Sequence, residues 1–329
     1  MKRPTIKDVA LKVGVNPSTV SRALKDHPDI SERIKIEIRK AAEELRYHPN
    51  QHAANLRKQR SNIIGLIIPE ISMFFFPSVI SGIEEAIIKD GFQLLVLQSG
   101  NKLVNEIRNV QICCDQSVDG ILISLSNQTN SFSHLEEAAE IGVPIVVFDK
   151  SLSTCNYDEI LIDDEKAAEE CVNYLISKGC KKISGFFGNS NLTISKNRLQ
   201  GFKNALIKNN FPVNEELIVY ADSIEEAHTQ TKKLFNNDRP DGIFAMSDEC
   251  LAGIIPALNE MYISIPNKCK VISISDGTIP KLLTPHTPYL HHSGFEVGRL
   301  AAQKLIERIK NDNEADHGRH FIGTKIVEN

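Results

Sequence analysis

Several signatures that would mark an enzyme or an exported protein are missing from this 329-residue chain. No G-x-G-x-x-G follows a strand-like run, no G-x-x-x-x-G-K-[ST] occurs, and no G-x-S-x-G elbow appears, so an enzyme on a nucleotide-binding or hydrolase fold is not indicated. The seven cysteines, at 113, 114, 155, 171, 180, 250 and 269, form no CxxC pair and are odd in number. That pattern points to buried thiols in a reducing compartment, not to a disulfide scaffold or a zinc site. No apolar run approaches bilayer length, and the longest, such as Ile63–Pro69, are strand-sized. No secretory signal precedes the first amphipathic segment. The last residues carry no leucine heptad that could form a coiled coil. The expectation is a cytoplasmic protein with no membrane partner, no cofactor and no metal.

Charge is distributed unevenly. Residues 1–60 hold fourteen Lys+Arg against seven Asp+Glu, leaving 24 against 35 for the rest, so a head of about +7 sits on a body of about −11 within a net charge of −4. Positive charge against phosphate supplies sequence-independent affinity, which makes the head the nucleic-acid end.

The head reads T-I-K-D-V-A-L-K-V-G-V-N-P-S-T-V-S-R-A-L-K from Thr5 to Lys25. Ile6, Val9, Ala10 and Val13 share one face of a helix, with Thr5 as N-cap and Asp8 completing a capping pair. Gly14 ends that helix. Asn16 can cap a second one opening on Pro17, whose missing N–H costs nothing there. Val20 and Leu24 form its packing face, and Ser18, Arg22 and Lys25 lie opposite. A third helix, capped by Ser31, carries Ile34, Ile38, Ala41 and Leu45. This is a helix-turn-helix pattern, in which the second helix offers its N-terminal side chains to base edges in the major groove.

The run resembles the head of the LacI/GalR family of bacterial transcription regulators: Thr5, Asp8-Val9-Ala10, Gly14-Val15 and Thr19-Val20-Ser21-Arg22 match its pattern without a gap. The resemblance implies a DNA-facing set of Thr5, Pro17, Ser18, Thr19, Ser21 and Arg22, with Pro17, Ser18 and Arg22 at the base-reading positions. Arginine presents a planar fork suited to guanine, serine donates or accepts, and proline offers only apolar contact. The match continues through Tyr47, Pro49, Asn50, Ala53 and Leu56, which resemble the family's hinge. A helix from Asn50 to about Lys58 is too short to persist alone in water. The family pairs two such helices in a dimer, with the leucine wedged into the minor groove, which implies Asn50, Ala53 and Leu56 as further DNA-binding residues.

From Ser61 the pattern alternates. Strand-like runs at Ile63–Ile68, Phe92–Leu97, Gly120–Ser124, Pro144–Phe148, Glu159–Ile162, Ile183–Phe187, Leu217–Tyr220, Gly242–Ala245 and Lys270–Ile274 are mostly separated by amphipathic helices, and a strand-like His320–Val327 follows. Continuous apolar strands with helices between them predict an α/β fold, and about nine strands suit two doubly wound sheets better than one. The body resembles the family's effector-binding core, of periplasmic-binding-protein type, which implies two lobes joined by three crossings. The expected organisation is a helix-turn-helix domain at 1–48, a hinge at 49–60 and a core at 61–329. Lobe one would hold about 61–160 plus 293–310, and lobe two about 161–290 plus 320–329.

Ligands in open α/β sheets bind beyond the carboxyl ends of the strands. Phe74, Phe75, Ser124, Asp149, Asp248 and Asp276 fall there, a mixture of hydroxyl acceptors and stacking surfaces that suits a sugar or similar polyhydroxylated molecule. The resemblance adds Arg198, whose family counterpart contacts effector oxygens. Core packing remains open for the Phe74–Phe76 run, as does helix capping for Asp248 and Asp276. The chain departs from the family at Ser275, where an aspartate is usual, and at 287–292, where Thr-Pro-Tyr-Leu-His-His replaces a Leu-Thr-Thr segment. Adjacent histidines on a strand face opposite ways, so His291 and His292 read as structural or interface residues. The functional expectation is an effector-responsive repressor that binds a palindromic operator as a homodimer; the alternative is a soluble sugar-binding protein without a regulatory role.

Overall fold

In a computed structural model, residues 4–47, 60–152, 155–190, 192–311 and 317–328 are described. The chain divides into two compact units at Ser61/Asn62.

The first unit is built from α1 (Ile6–Val13), α2 (Pro17–Leu24) and α3 (Glu32–Glu44). At its start the backbone N–H and the hydroxyl of Thr5 both donate to Asp8 Oδ2, each at 2.7 Å. Gly14 stops α1 in the left-handed region at φ 75°, where its N–H reaches the Ala10 carbonyl at 2.9 Å. Asn16 and Ser31 stand at the next two N-caps with extended backbones, yet neither side chain closes the expected capping bond. Both residues are exposed, so solvent can serve those N–H groups. Val9, Ala10, Val20, Ala23, Ile38, Ala41 and Ala42 form the core.

The second unit is α/β throughout. Strands β1 (Ile63–Ile68), β2 (Gln93–Gln98), β3 (Gly120–Ile123), β4 (Ile145–Phe148) and β5 (Asp158–Leu161) alternate with α4 (Phe76–Ile88), α5 (Leu103–Asp115) and α6 (Ser133–Glu140). Strands β6 (Ile183–Phe187), β7 (Ile218–Tyr220), β8 (Gly242–Ala245), β9 (Lys270–Ser275) and β10 (Tyr289–His291) follow, with α7 (Asp164–Ser177), α8 (Thr193–Lys208), α9 (Ile224–Asn237), α10 (Asp248–Glu260) and α11 (Thr278–Leu282). The chain closes with α12 (Gly294–Lys310), β11 (Arg319–Phe321) and β12 (Lys325–Val327). Two six-stranded sheets result, ordered β11-β5-β4-β3-β1-β2 and β12-β10-β9-β8-β6-β7. All pairings are parallel except β10 with β12. Strands such as β3 and β4 are buried along their whole length, as sheets covered on both faces require.

The chain passes between the sheets three times, after β5, after β10 and after β11. The last passage corrects the sequence reading of a single strand over 320–327 inside the second lobe. Arg319–Phe321 instead edges the first sheet beside β5, and Lys325–Val327 edges the second. Gly323 falls in the break, and an apolar alternation cannot show that a run changes sheets at its middle. Ile322 packs against the cores of both.

Returning elements are locked by small residues and by charge. A Cβ on Gly298 would run into the carbonyl of Val79, and one on Gly82 into that of Phe295, so α4 and α12 touch backbone to backbone. Arg308 donates to the buried Asp158 at 2.7 Å, where the Gly318 N–H also donates at 3.0 Å. Arg319 pairs with the equally buried Glu159 of β5.

Candidate functional site

On α2, Val20 and Ala23 turn inward, which leaves Pro17, Ser18 and Arg22 exposed on the opposite face and Thr19 and Ser21 half-buried at its margin. Among the described residues no acidic side chain pairs with Arg22, so its donors remain open to an outside acceptor. Thr5 spends its hydroxyl proton on Asp8. Asn50, Ala53 and Leu56 lie outside the described residues.

The second site forms where the carboxyl ends of both sheets face the crossings. In the first lobe Ser124 donates to Asp149 at 2.7 Å. Asp149 itself takes a left-handed backbone, φ 69°, immediately after β4, which is uncommon for a residue other than glycine. The next residue, Lys150, reaches the Leu125 carbonyl at 3.1 Å and Asn127 at 2.9 Å; burial lowers its pKa, against the pull of Asp149, Glu106 and Glu249.

In the second lobe Arg198 is 5% exposed. Its Nε donates to Asp164 at 2.8 Å and its Nη1 to the Met246 carbonyl. Burial pushes Asp164 up to about 6 in spite of that arginine, with Asp149 adding repulsion from the first lobe. Asp248, 6% exposed, is pushed up to about 7, again chiefly by burial. Its Oδ1 has no partner among the described residues. Beside them His292 is held neutral: burial first, then the charge of Arg198, takes it down to about 3, and its Nδ1 is likewise unpartnered. Buried polar atoms left unpaired are costly, and two of them lie within electrostatic reach of Arg198 here.

The aromatics divide. Phe76 is core, edge-on to Phe148 with centroids 6.5 Å apart. Phe75 stacks on His292 at 4.9 Å, while Phe74 packs against the second lobe's core. Of the two aspartates whose role was open, Asp248 is not a cap: Ser247 caps α10 by accepting from the Cys250 N–H at 3.4 Å. Asp276 does shape a turn, accepting from the Thr278 N–H at 3.1 Å.

A cleft of about 820 Å³ adjoins this corner, walled on its inner side by Asp149, Asp164 and Asn197. Asp149 is the sequence-expected residue on its wall; Arg198 reaches it through Asp164, and Phe74, Phe75, Ser124, Asp248 and Asp276 do not line it. Sequence reasoning missed Asp164 and His292. Asp163 caps α7, accepting from Lys166 at 3.0 Å, and an aspartate directly after a cap looks like any acidic first-turn residue. The pair His291-His292 reads as structural from the sequence because adjacent strand residues face opposite ways, which does not show that His292 meets Phe75 and Arg198. Among the described residues no cluster of His, Cys, Asp and Glu could hold a metal ion, and no helix is long and apolar enough to cross a membrane. All seven cysteines are free thiols.

Residues 5–50 match the model of bacterial regulatory proteins of the lacI family, and residues 172–328 match a periplasmic binding protein-like domain. The probable HTH-type transcriptional regulator EndR of Paenibacillus polymyxa is 30% identical over 318 residues, 95% of this chain and 92% of that protein. The ribose operon repressor of Haemophilus influenzae is 28% identical over 94% of this chain and 93% of its own. Among solved structures, the lac repressor dimer bound to operator and an anti-inducer superposes with a TM-score of 0.88 at 20% identity, covering 99% of this chain and 98% of that one.

Proposed function

The chain belongs to the lacI family of bacterial regulatory proteins, and from that premise we propose that it is a repressor which holds a palindromic operator as a homodimer and answers to a sugar-like effector. That it is a DNA-binding transcriptional regulator and not an enzyme follows from the family itself. Its place of work is the cytoplasm, where the operator is.

The observation that carries the reading is the conjunction, in one chain, of an exposed α2 face bearing Arg22 with a buried corner whose Asp248 Oδ1 and His292 Nδ1 have no partner among the described residues. On the head, Arg22 and Ser18 read base edges, Pro17 adds apolar contact, and Thr5, Thr19 and Ser21 approach the backbone. Asn50, Ala53 and Leu56 supply the hinge and its minor-groove wedge. In the core, Arg198, Asp149, Asp248, Asp276 and Ser124 meet effector hydroxyls, and Phe74 and Phe75 close the apolar side. A carboxyl poised near neutrality can donate to one hydroxyl or accept from another, which suits a neutral polyol better than an anion. The relative that represses a ribose operon agrees with a sugar as effector. Effector binding shifts lobe closure, closure alters the support of the hinge, and operator affinity follows by linkage.

Selection of random duplex DNA by the purified protein, with and without candidate sugars, tests this. A palindrome with a deformable centre, whose retention changes with a sugar, is expected. No enrichment under any condition sinks the repressor reading and favours a plain binding protein.

A further inference from the structure

The cleft is lined by three consecutive acids, Asp163, Asp164 and Glu165, where the chain first crosses into the second lobe. Each has a different partner. Asp163 turns back on its own helix and caps α7 through the Lys166 N–H, and Glu165 accepts from Asn204 of α8 at 2.6 Å. Both are exposed. Asp164 lies between them with its side chain only 10% exposed, and its Oδ1 accepts from Arg198 Nε at 2.8 Å. A glycine makes this pairing possible. Gly201 stands one turn beyond Arg198 on α8, and a Cβ there would run into the Glu165 carbonyl, so α8 crosses the start of α7 closely enough for Arg198 to reach its first residue.

The pair is lopsided. Arg198 is 5% exposed, donates from Nη1 to the Met246 carbonyl just past β8, and does not line the cleft. Met246 is itself held in place, because the Gly188 N–H donates to its Sδ at 2.8 Å. Asp164 does line the cleft. The pair therefore turns its anion, not its cation, toward a ligand. An acceptor there calls for a donor on the effector, which a hydroxyl supplies and an ionised carboxylate or phosphate does not. The cations of the wall do not offset this: Lys150 donates to the Leu125 carbonyl and to Asn127, and Arg319 is tied to the buried Glu159 and the Leu152 carbonyl. Asp149 lines the same cleft from the first lobe, within electrostatic reach of Asp164. A negative group placed between the two meets repulsion from both.

We propose that Asp164 is the specificity-determining residue of the cleft, accepting from an effector hydroxyl and turning away phosphorylated and carboxylated sugars, with Arg198 behind it as the positioning residue. This rests on the sugar-effector reading above and names the group that narrows it. Arg198 acts on the effector through the carboxylate it holds, and its charge favours the ionised form of that carboxylate against the effect of burial.

Calorimetric titration of the full-length protein with ribose, glucose and galactose, and with ribose 5-phosphate, glucose 6-phosphate, glucuronate and galactose 1-phosphate, tests this. At least one parent sugar binds, and its anionic derivatives bind about tenfold or more weakly. Asp164→Asn, which keeps an oxygen for Arg198, weakens the parent sugar about tenfold, as expected for loss of a hydrogen bond to a charged group, and narrows the gap to the derivatives by about threefold or more. Arg198→Lys weakens the parent sugar as well. The double variant binds it no more weakly than Asp164→Asn alone, because a residue that works through another adds nothing once that other is gone.

An anionic derivative that binds as tightly as its parent overturns the rejection. Parent affinity unmoved by Asp164→Asn overturns the assignment of Asp164, and losses that add in the double variant put Arg198 on the effector itself and overturn its positioning role. Where Asp164→Asn does not fold, Asp164→Glu takes its place, since it keeps the ion pair: it retains the rejection and weakens the parent sugar by about threefold or more, and an unchanged affinity overturns the contact. If no sugar binds while operator DNA is still selected, the sugar reading falls and the role of Asp164 falls with it.

Discussion

Arg22 and Arg198 are the same side chain put to opposite uses. On the head, Arg22 stands exposed with no acidic side chain paired to it among the described residues, and the packing beneath it is done by Val20 and Ala23. In the core, Arg198 is buried and gripped by Asp164 and the Met246 carbonyl. The DNA-reading end separates stability from recognition, so its sequence can drift to a new operator at little cost in folding. The ligand end merges the two, because the groups that would meet an effector also neutralise one another in its absence.

The difference is sharpest under substitution. Arg198→Ala leaves Asp164 as an uncompensated buried charge and should destabilise the core by about 3–5 kcal/mol, read as a drop in the urea midpoint; a midpoint near wild type would place Arg198 in water and undo the contrast. Next in size is the pH response of Asp248. Burial pushes its pKa up to about 7 in the folded protein, against an ordinary aspartate value of 3.8. Between those values the native state keeps a proton that the unfolded chain has released, so this group's contribution to stability falls as pH rises from about 4 to 7 and then levels. Asp248→Asn should abolish that fall and stabilise the protein at pH 8 by something on the order of 3 kcal/mol. Parallel stability curves for the two proteins from pH 4 to 8 would show that Asp248 ionises freely.

Arg22→Ala comes third. It should cost about 1–3 kcal/mol of discrimination at one base position per half-site, with the melting transition unmoved. A melting shift comparable to that of Arg198→Ala would mean that the head, too, merges folding with reading. The smallest effect is at Thr5. Loss of its hydroxyl in Thr5→Ala should weaken the capping pair by about 1 kcal/mol, speeding amide exchange along α1 roughly fivefold. Unchanged exchange with weakened operator binding would instead give Thr5 to the DNA.

The same contrast explains what could be read in advance. The head's determinants are local: Thr5 meets Asp8 three residues on, Gly14 ends one helix, and Pro17 opens the next. The alternation of strands and helices is equally local, and it conveys the doubly wound class. The site is not local. Arg198 meets Asp164 across 34 residues and Ser124 meets Asp149 across 25, while Phe75 stacks on a histidine near the far end of the body. Position at strand ends picked out the candidates, of which Asp149 lines the cleft, but it could not tell that Asp163 caps while Asp164 pairs, or that Phe76 is core while Phe75 stacks on His292. Nor could periodicity show a strand-like run dividing between two sheets, and with it the part of the cleft lining that Arg319 and Phe321 provide.

The last passage between the sheets also bears on how the protein is made. Strand β5 acquires its partner β11 only when Arg319 arrives, 160 residues after Glu159. At ordinary rates of synthesis, 5–20 residues per second, that is an interval of about 8–30 s during which the first sheet presents a bare edge on the ribosome. Bare edges recruit other chains, and inward-pointing charge is a standard deterrent. Asp158 and Glu159 sit on that edge. While nascent they are unneutralised carboxylates that repel a passing strand; once Arg308 and Arg319 emerge, the same two residues become the latch that closes the sheet. The late arginines thus convert a guard against misassembly into a mark of completion.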